Sequence, residues 1–119
     1  GDKSLSIQQG SRIEGIGRPR VEPSFSAAVI DRMLQVEESE SLAAAHFLSA
    51  KLGRIVGGST GTNFVGVVTL AEVMRQRDER WSIVTWLCDG GERYQESYFN
   101  DEWLAQRGFN VSERVKQLV

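Results

Sequence analysis

Three glycines and three hydroxyl side chains are interleaved in Gly57-Gly58-Ser59-Thr60-Gly61-Thr62, directly before a long apolar run. Glycines let a backbone approach a ligand closely and adopt positive φ. A helix start presents free N–H groups and partial positive charge, and hydroxyls both donate and accept hydrogen bonds. Such a segment can hold a polar ligand group. A capped helix start with tight packing accounts for the same residues. It is no P-loop, since the lysine and its spacing are absent. A second segment, Cys88-Asp89-Gly90-Gly91-Glu92-Arg93-Tyr94, follows an apolar, β-branched run. In open α/β sheets ligands gather at the carboxyl ends of strands; the plainer reading is a turn with Glu92 and Arg93 in surface ion pairs. The third, Glu14-Gly15-Ile16-Gly17, reads as a strand end with two glycines and is weak by itself. His46, the single histidine, falls mid-helix and reads as a satisfied or exposed side chain. Cys88 has no second cysteine and reads as a core residue. No metal-ligand spacing occurs, and no residue of the chain is assigned a catalytic role.

The elements that would position these residues follow from pattern. Arg12 to Gly17 reads as a short strand entering a glycine turn. Pro19 and Pro23 exclude a regular helix until after Phe25. A short helix through Ala27 to Met33 and a brief strand over 34–37 come next. Leu42, Ala45, Leu48 and Leu52 fall near helical spacing, with Gly53 where a left-handed cap belongs. Glu38 and Glu40 at its start and Lys51 at its end complement the helix dipole. A second helix is predicted from about Phe64 to Gln76, apolar on more than one face and therefore buried on several sides. Ser82 to Cys88 reads as the clearest strand, covered on both faces. Tyr98, Phe99, Trp103 and Leu104 predict short helices packing back on the body, and the tail from Asn110 a final helix. Trp81, Trp86 and Trp103 read as core or interface. The whole predicts an α/β fold, a three-layer sheet with helices on both faces. Residues 1–11 read as a loop or upstream tail, and residues 12–119 as one domain. With no initiator methionine and only about three strands, the chain is expected to begin in mid-protein.

Composition limits the rest. The chain has 119 residues with a formal net charge of -2, so no global basic field attracts nucleic acid or anionic lipid. Arg12, Arg18 and Arg20 read as a solvated segment. The single cysteine excludes an internal disulfide and favours a reducing compartment, the cytoplasm. No signal peptide and no membrane-spanning run is visible.

Taken together and in order, Ile13-Glu14-Gly15-Ile16-Gly17, Gly58-Ser59-Thr60-Gly61 and Asp89-Gly90-Gly91-Glu92-Arg93-Tyr94 resemble the C-terminal part of fold-type II pyridoxal-phosphate enzymes. The cysteine synthases, cystathionine β-synthases and bacterial cysteine desulfhydrases are the nearest groups. The run from Arg12 to Pro23 looks most like the desulfhydrase branch. Gly90 departs from the pattern, where the family usually has serine. The resemblance implies that Ser59 hydrogen-bonds the pyridine nitrogen of the cofactor, flanked by Gly58 and Thr60. It implies that Gly15, Ile16 and Gly17 lie beside the cleft and that Asp89 lies near the ring. A neutral hydroxyl at the ring nitrogen does not favour its protonation, which suits β-elimination and β-replacement on cysteine or O-acetylserine-like amino acids by a lyase or transferase. The family attaches its cofactor through a lysine in its N-terminal half; Lys3, Lys51 and Lys116 do not match that context. The implied partners are therefore the missing N-terminal half, a small amino-acid substrate and a second copy in a homodimer. The chain alone is expected to be inactive. The alternative is a non-catalytic domain on the same scaffold that binds a small ligand or another protein.

Overall fold

The computed structural model describes residues 8, 10–118; most of the expected upstream tail, Lys3 included, lies outside the described residues. Among the described residues four α-helices carry the architecture: α1 (Glu38–Leu52), α2 (Gly58–Gln76), α3 (Asp101–Gln106) and α4 (Val111–Leu118). Short 3-10 turns lie at Ala27–Val29 and Glu92–Tyr94.

α1 starts and stops where its sequence directs. The Glu37 amide donates to Glu40 Oε2 at 3.3 Å, closing the first turn. Gly53 ends the helix in the left-handed region, at φ 66°, a conformation that a β-carbon disfavours. α1 lies against α2 through small residues. Ala44 and Ala45 are fully buried, and a β-carbon on Gly61 would stand 2.0 Å from the Ser41 carbonyl oxygen. Thr62 Oγ1 donates to Ser41 Oγ across this contact at 2.8 Å. Phe47 and Phe64 stack farther along, with centroids 5.9 Å apart.

The core lies on the other side of α1. Leu42 and Ala43 meet Tyr94, Tyr98, Leu104 of α3 and Val111 of α4, with Phe99, Trp103 and Phe109 packed around them. The short helices expected after the Asp89 turn, and the final helix, are therefore present and do pack back on the body.

The three-layer sheet is not. Roughly half of the structure is helical, with no sheet among the described residues. Three expected strands are corrected. Arg12 to Gly17 is a turn: the Ile16 amide donates to the Ile13 carbonyl, the Ser11 amide to the Gly17 carbonyl, and Gly15 and Gly17 sit at φ 85° and 65°. Residues 34–37 are irregular apart from their entry into α1. Ser82 to Cys88 forms no strand and is open to solvent, with Val84 88% and Trp86 77% exposed. A strand exists only by pairing, and the one described bridge joins Val56 to Gly90. The apolar composition of this run marks its surface as one that burial would favour; it does not supply the partner.

Two smaller expectations change with it. α2 begins six residues earlier than its apolar pattern, at Gly58, and is not buried on several sides: only Gly58, Thr60 and Gly61 are buried. The helix expected through Met33 shrinks to the exposed turn Ala27–Val29.

Candidate functional site

The glycine-hydroxyl segment is the N-terminus of α2. Gly57 caps it without a side-chain bond. The amides of Gly58, Ser59 and Thr60 have no acceptor among the described residues, the normal state of a helix start. The glycines here are explained by packing. A β-carbon on Gly57 would stand 2.3 Å from Asp89 Oδ1, and one on Gly58 would stand 3.1 Å from both Ile13 and Tyr98. Thr60 is buried, and its hydroxyl accepts from the Cys88 amide at 2.9 Å. Thr62, half-buried like Ser59, spends its hydroxyl on Ser41 Oγ and the Gly58 carbonyl, which leaves Ser59 as the hydroxyl of the segment nearest the open helix start.

Asp89 joins this group from the other side of the chain. Its carbonyl accepts from the Gly57 amide at 3.1 Å. Its carboxylate accepts from Ser59 Oγ at 3.4 Å and from the Tyr94 hydroxyl at 2.5 Å. Burial, and then the Asp89 carboxylate, push the Tyr94 phenol well above its ordinary value, because both penalise the phenolate. The chain thus folds two segments 30 residues apart into one polar cluster of Ser59, Asp89 and Tyr94.

The Arg12–Gly17 turn reaches the cluster through Tyr98. The Tyr98 hydroxyl accepts from the Glu14 amide at 3.0 Å and donates to the Arg12 carbonyl at 2.9 Å. Its ring stacks on Tyr94 with centroids 4.4 Å apart and flanks Gly58. Arg93 adds an exposed ion pair to Glu14 at 3.1 Å, so one of the two expected surface charges bridges segments. The structure accordingly gathers Gly58, Ser59, Thr60 and Asp89 directly, whereas Tyr98 holds Arg12 and Glu14, the residues just before Gly15, Ile16 and Gly17, which themselves make no described contact with the cluster. Gly17 also borders a cleft of about 480 Å³ with Arg18 and Arg20. Tyr94 closes the Asp89–Tyr94 motif of the sequence, whereas the link through Tyr98 has no counterpart there, where Tyr98 reads only as a residue of a short packing helix; its i, i+4 spacing from Tyr94 is the available signal.

Other residues fall elsewhere. Cys88 is exposed, not core; its thiol accepts from Asn63 Nδ2 at 3.4 Å. Trp81 and Trp86 are exposed, and Trp103 alone of the tryptophans packs on the core. His46 lies 2.6 Å from the Tyr98 carbonyl; a carbonyl only accepts, so Nε2 carries the proton. It borders a cavity of about 730 Å³ between α1, α3 and α4, to which none of the predicted site residues contributes. Lys51 lies over the Phe47 ring at 5.5 Å, and Lys116 pairs with Glu113 at 3.0 Å. At Gly90, where serine is usual, a β-carbon would meet the end of the Glu92 side chain, a contact a flexible chain can relieve.

No family model matches the chain. Curated relatives do. An L-cysteine desulfhydrase from Mycobacterium tuberculosis is 47% identical over all 119 residues, which span 32% of that protein. A cysteine synthase from Dictyostelium discoideum is 35% identical over 84% of the chain and 26% of its own length. Mouse cystathionine beta-synthase is 30% identical over 89% of the chain and 18% of its own length. The chain belongs to the cysteine synthase and cystathionine β-synthase family of fold-type II pyridoxal-phosphate enzymes. It spans about a third or less of the length of the curated relatives it matches. Among the described residues no helix is long and apolar enough to cross a membrane.

Proposed function

We propose that residues 12–119 form the C-terminal part of a pyridoxal-phosphate enzyme that acts by β-elimination or β-replacement on cysteine or an O-acetylserine-like amino acid. In this reading they receive the ring-nitrogen edge of the cofactor. The observation that carries it is the identity of 47%, over the full chain, to an L-cysteine desulfhydrase. The geometry agrees in kind. The α2 start offers a reachable neutral hydroxyl at Ser59, amides without acceptors, and Gly57 and Gly58, whose missing β-carbons leave room for Asp89, Ile13 and Tyr98.

Pyridoxal phosphate, when bound, supplies an electron-withdrawing ring. The residues of this chain hold that ring's nitrogen edge. Ser59 Oγ makes the directional hydrogen bond. The Gly58 and Thr60 backbone gives the helix start its shape and partial charge. Gly15, Ile16 and Gly17 border the cleft, following the Arg12 and Glu14 backbone that Tyr98 holds. The cofactor-anchoring lysine and the loops for phosphate and substrate carboxylate belong to the rest of the protein. That remainder is the principal partner of this chain, and the complete enzyme is a cytoplasmic homodimer.

The test uses the longer protein with pyridoxal phosphate, beside its Ser59→Ala variant and the 119-residue chain. Sulfide release from L-cysteine, cysteine formation from O-acetylserine and the cofactor absorbance are measured. The chain alone is expected to give no turnover. Ser59→Ala should lower turnover about tenfold, the worth of one ordinary hydrogen bond, and move the absorbance band. Turnover by the isolated chain, or an unchanged band and rate in the variant, would overturn the proposal.

A further inference from the structure

Ser59 does not face a ligand unaided. Its hydroxyl lies 3.4 Å from Asp89 Oδ1. A carboxylate only accepts, so the Ser59 proton points at Asp89 and a lone pair is left outward. Asp89 is itself held in place. Tyr94 donates to the other carboxylate oxygen at 2.5 Å, and the Gly57 amide donates to the Asp89 carbonyl at 3.1 Å. Gly57 has no β-carbon, and one there would strike Asp89 Oδ1. The absence of that carbon lets the carboxylate reach the helix start at all. Three other charged side chains lie around this cluster: Arg93, over the Tyr94 ring, Glu14, which pairs with Arg93, and Glu92, whose carboxylate lies beside Gly90; none of them bonds the Asp89 carboxylate or Ser59 among the described residues.

From this cluster we infer that Asp89 is a positioning residue: through Ser59 it places a fixed negative charge one hydroxyl away from the cofactor's ring nitrogen, and so raises that nitrogen's proton affinity above what a lone serine gives. The inference rests on the reading that Ser59 faces the ring. Two effects act in the same direction. A carboxylate at this range favours the positive form of a nearby base. A serine whose proton is committed to a carboxylate is better placed to accept an N–H than to donate to a bare nitrogen. Tyr94 keeps the carboxylate aimed, and the neutral phenol adds no charge of its own.

Asp89→Asn keeps the shape and removes the charge. With the amide oxygen held by Tyr94, its NH₂ faces Ser59 and frees the serine proton for the ring. The experiment loads the longer protein with pyridoxal phosphate labelled with ¹⁵N in the ring, and follows the ring-nitrogen chemical shift against pH. Wild type, Asp89→Asn, Asp89→Ser and Ser59→Ala are compared. Both Asp89 variants should protonate at a pH lower by about one unit than wild type. Either neutral variant suffices should the other fail to fold. If Ser59→Ala moves the signal and neither Asp89 variant lowers the protonation midpoint, this inference is wrong and the placement of Ser59 stands. If Ser59→Ala leaves the signal and its titration unchanged, the placement of Ser59 fails and this inference falls with it.

Discussion

Tyr94 and Tyr98 are the only tyrosines in the sequence, and both phenols are raised above their ordinary value, chiefly by burial. A group whose folded value is raised contributes stability that is complete below its unfolded value. That stability is lost as pH climbs through the folded one. For a phenol the loss begins near pH 10, by its unfolded value of about 10. Phenolate absorbance of the 119-residue chain should therefore titrate above the midpoint seen in denaturant. The urea midpoint should fall between pH 9 and pH 12, and less steeply in Tyr94→Phe. A phenolate midpoint near 10 without denaturant would contradict this burial. At this scale the sequence was a fair guide to which residues meet, because glycines and hydroxyls around a helix start have few uses. Type and spacing mark the two segments, the family resemblance picks Ser59 and Asp89 within them, and the two side chains do meet. The link through Tyr98 is not legible, because a bond between Tyr98 and Arg12 is a property of the folded path and leaves no local trace.

Among the elements, α1 and α4 were legible because a helix satisfies its own backbone, so that periodicity and caps suffice. Gly53 marked the end of α1, and Gln76 the end of α2. The start of α2 is legible as a helix start near Gly57–Thr62 but not to the residue: it carries no side-chain cap, and the apolar pattern begins only at Phe64. Ser82 to Cys88 failed for the opposite reason, since a strand takes its definition from a neighbour outside the segment. The α1–α2 contact gives a sharp comparison. Gly61→Ala would put a methyl group 2.0 Å from the Ser41 carbonyl oxygen, and backbone on both sides leaves no flexible end to yield. Such overpacking costs about 1–3 kcal/mol. Gly66→Ala, in the same helix, meets nothing within 4 Å and should stabilise by about 0.5–1 kcal/mol. Urea denaturation of the two variants in one background checks the sign of each, and equal effects would refute the close packing at Gly61.

For the whole molecule, the accessible surface is 8678 Å², against about 6500 Å² for a compact monomer of this mass. Trp81, then Val84, Trp86 and Leu87 of the unpaired run, and Val68 and Leu70 of α2, are large apolar side chains left exposed. Exposed patches of this kind associate. The 119-residue chain should sediment as species that grow with concentration, and Trp81→Lys with Trp86→Lys should return it toward a monomer. A concentration-independent monomer in the unaltered chain would show that the run is shielded. The Tyr98 hydroxyl has a consequence of a different kind. It joins positions 84 and 86 residues apart, whereas α1 and α2 are separated by a five-residue connection. Closing a loop that long costs more chain entropy than closing the short one, and contacts distant in sequence slow folding. The helical pair that carries Ser59 can therefore assemble while the Arg12–Gly17 turn is still unattached. Loss of the Tyr98 hydroxyl, in Tyr98→Phe, should therefore raise the unfolding rate more than it lowers the refolding rate.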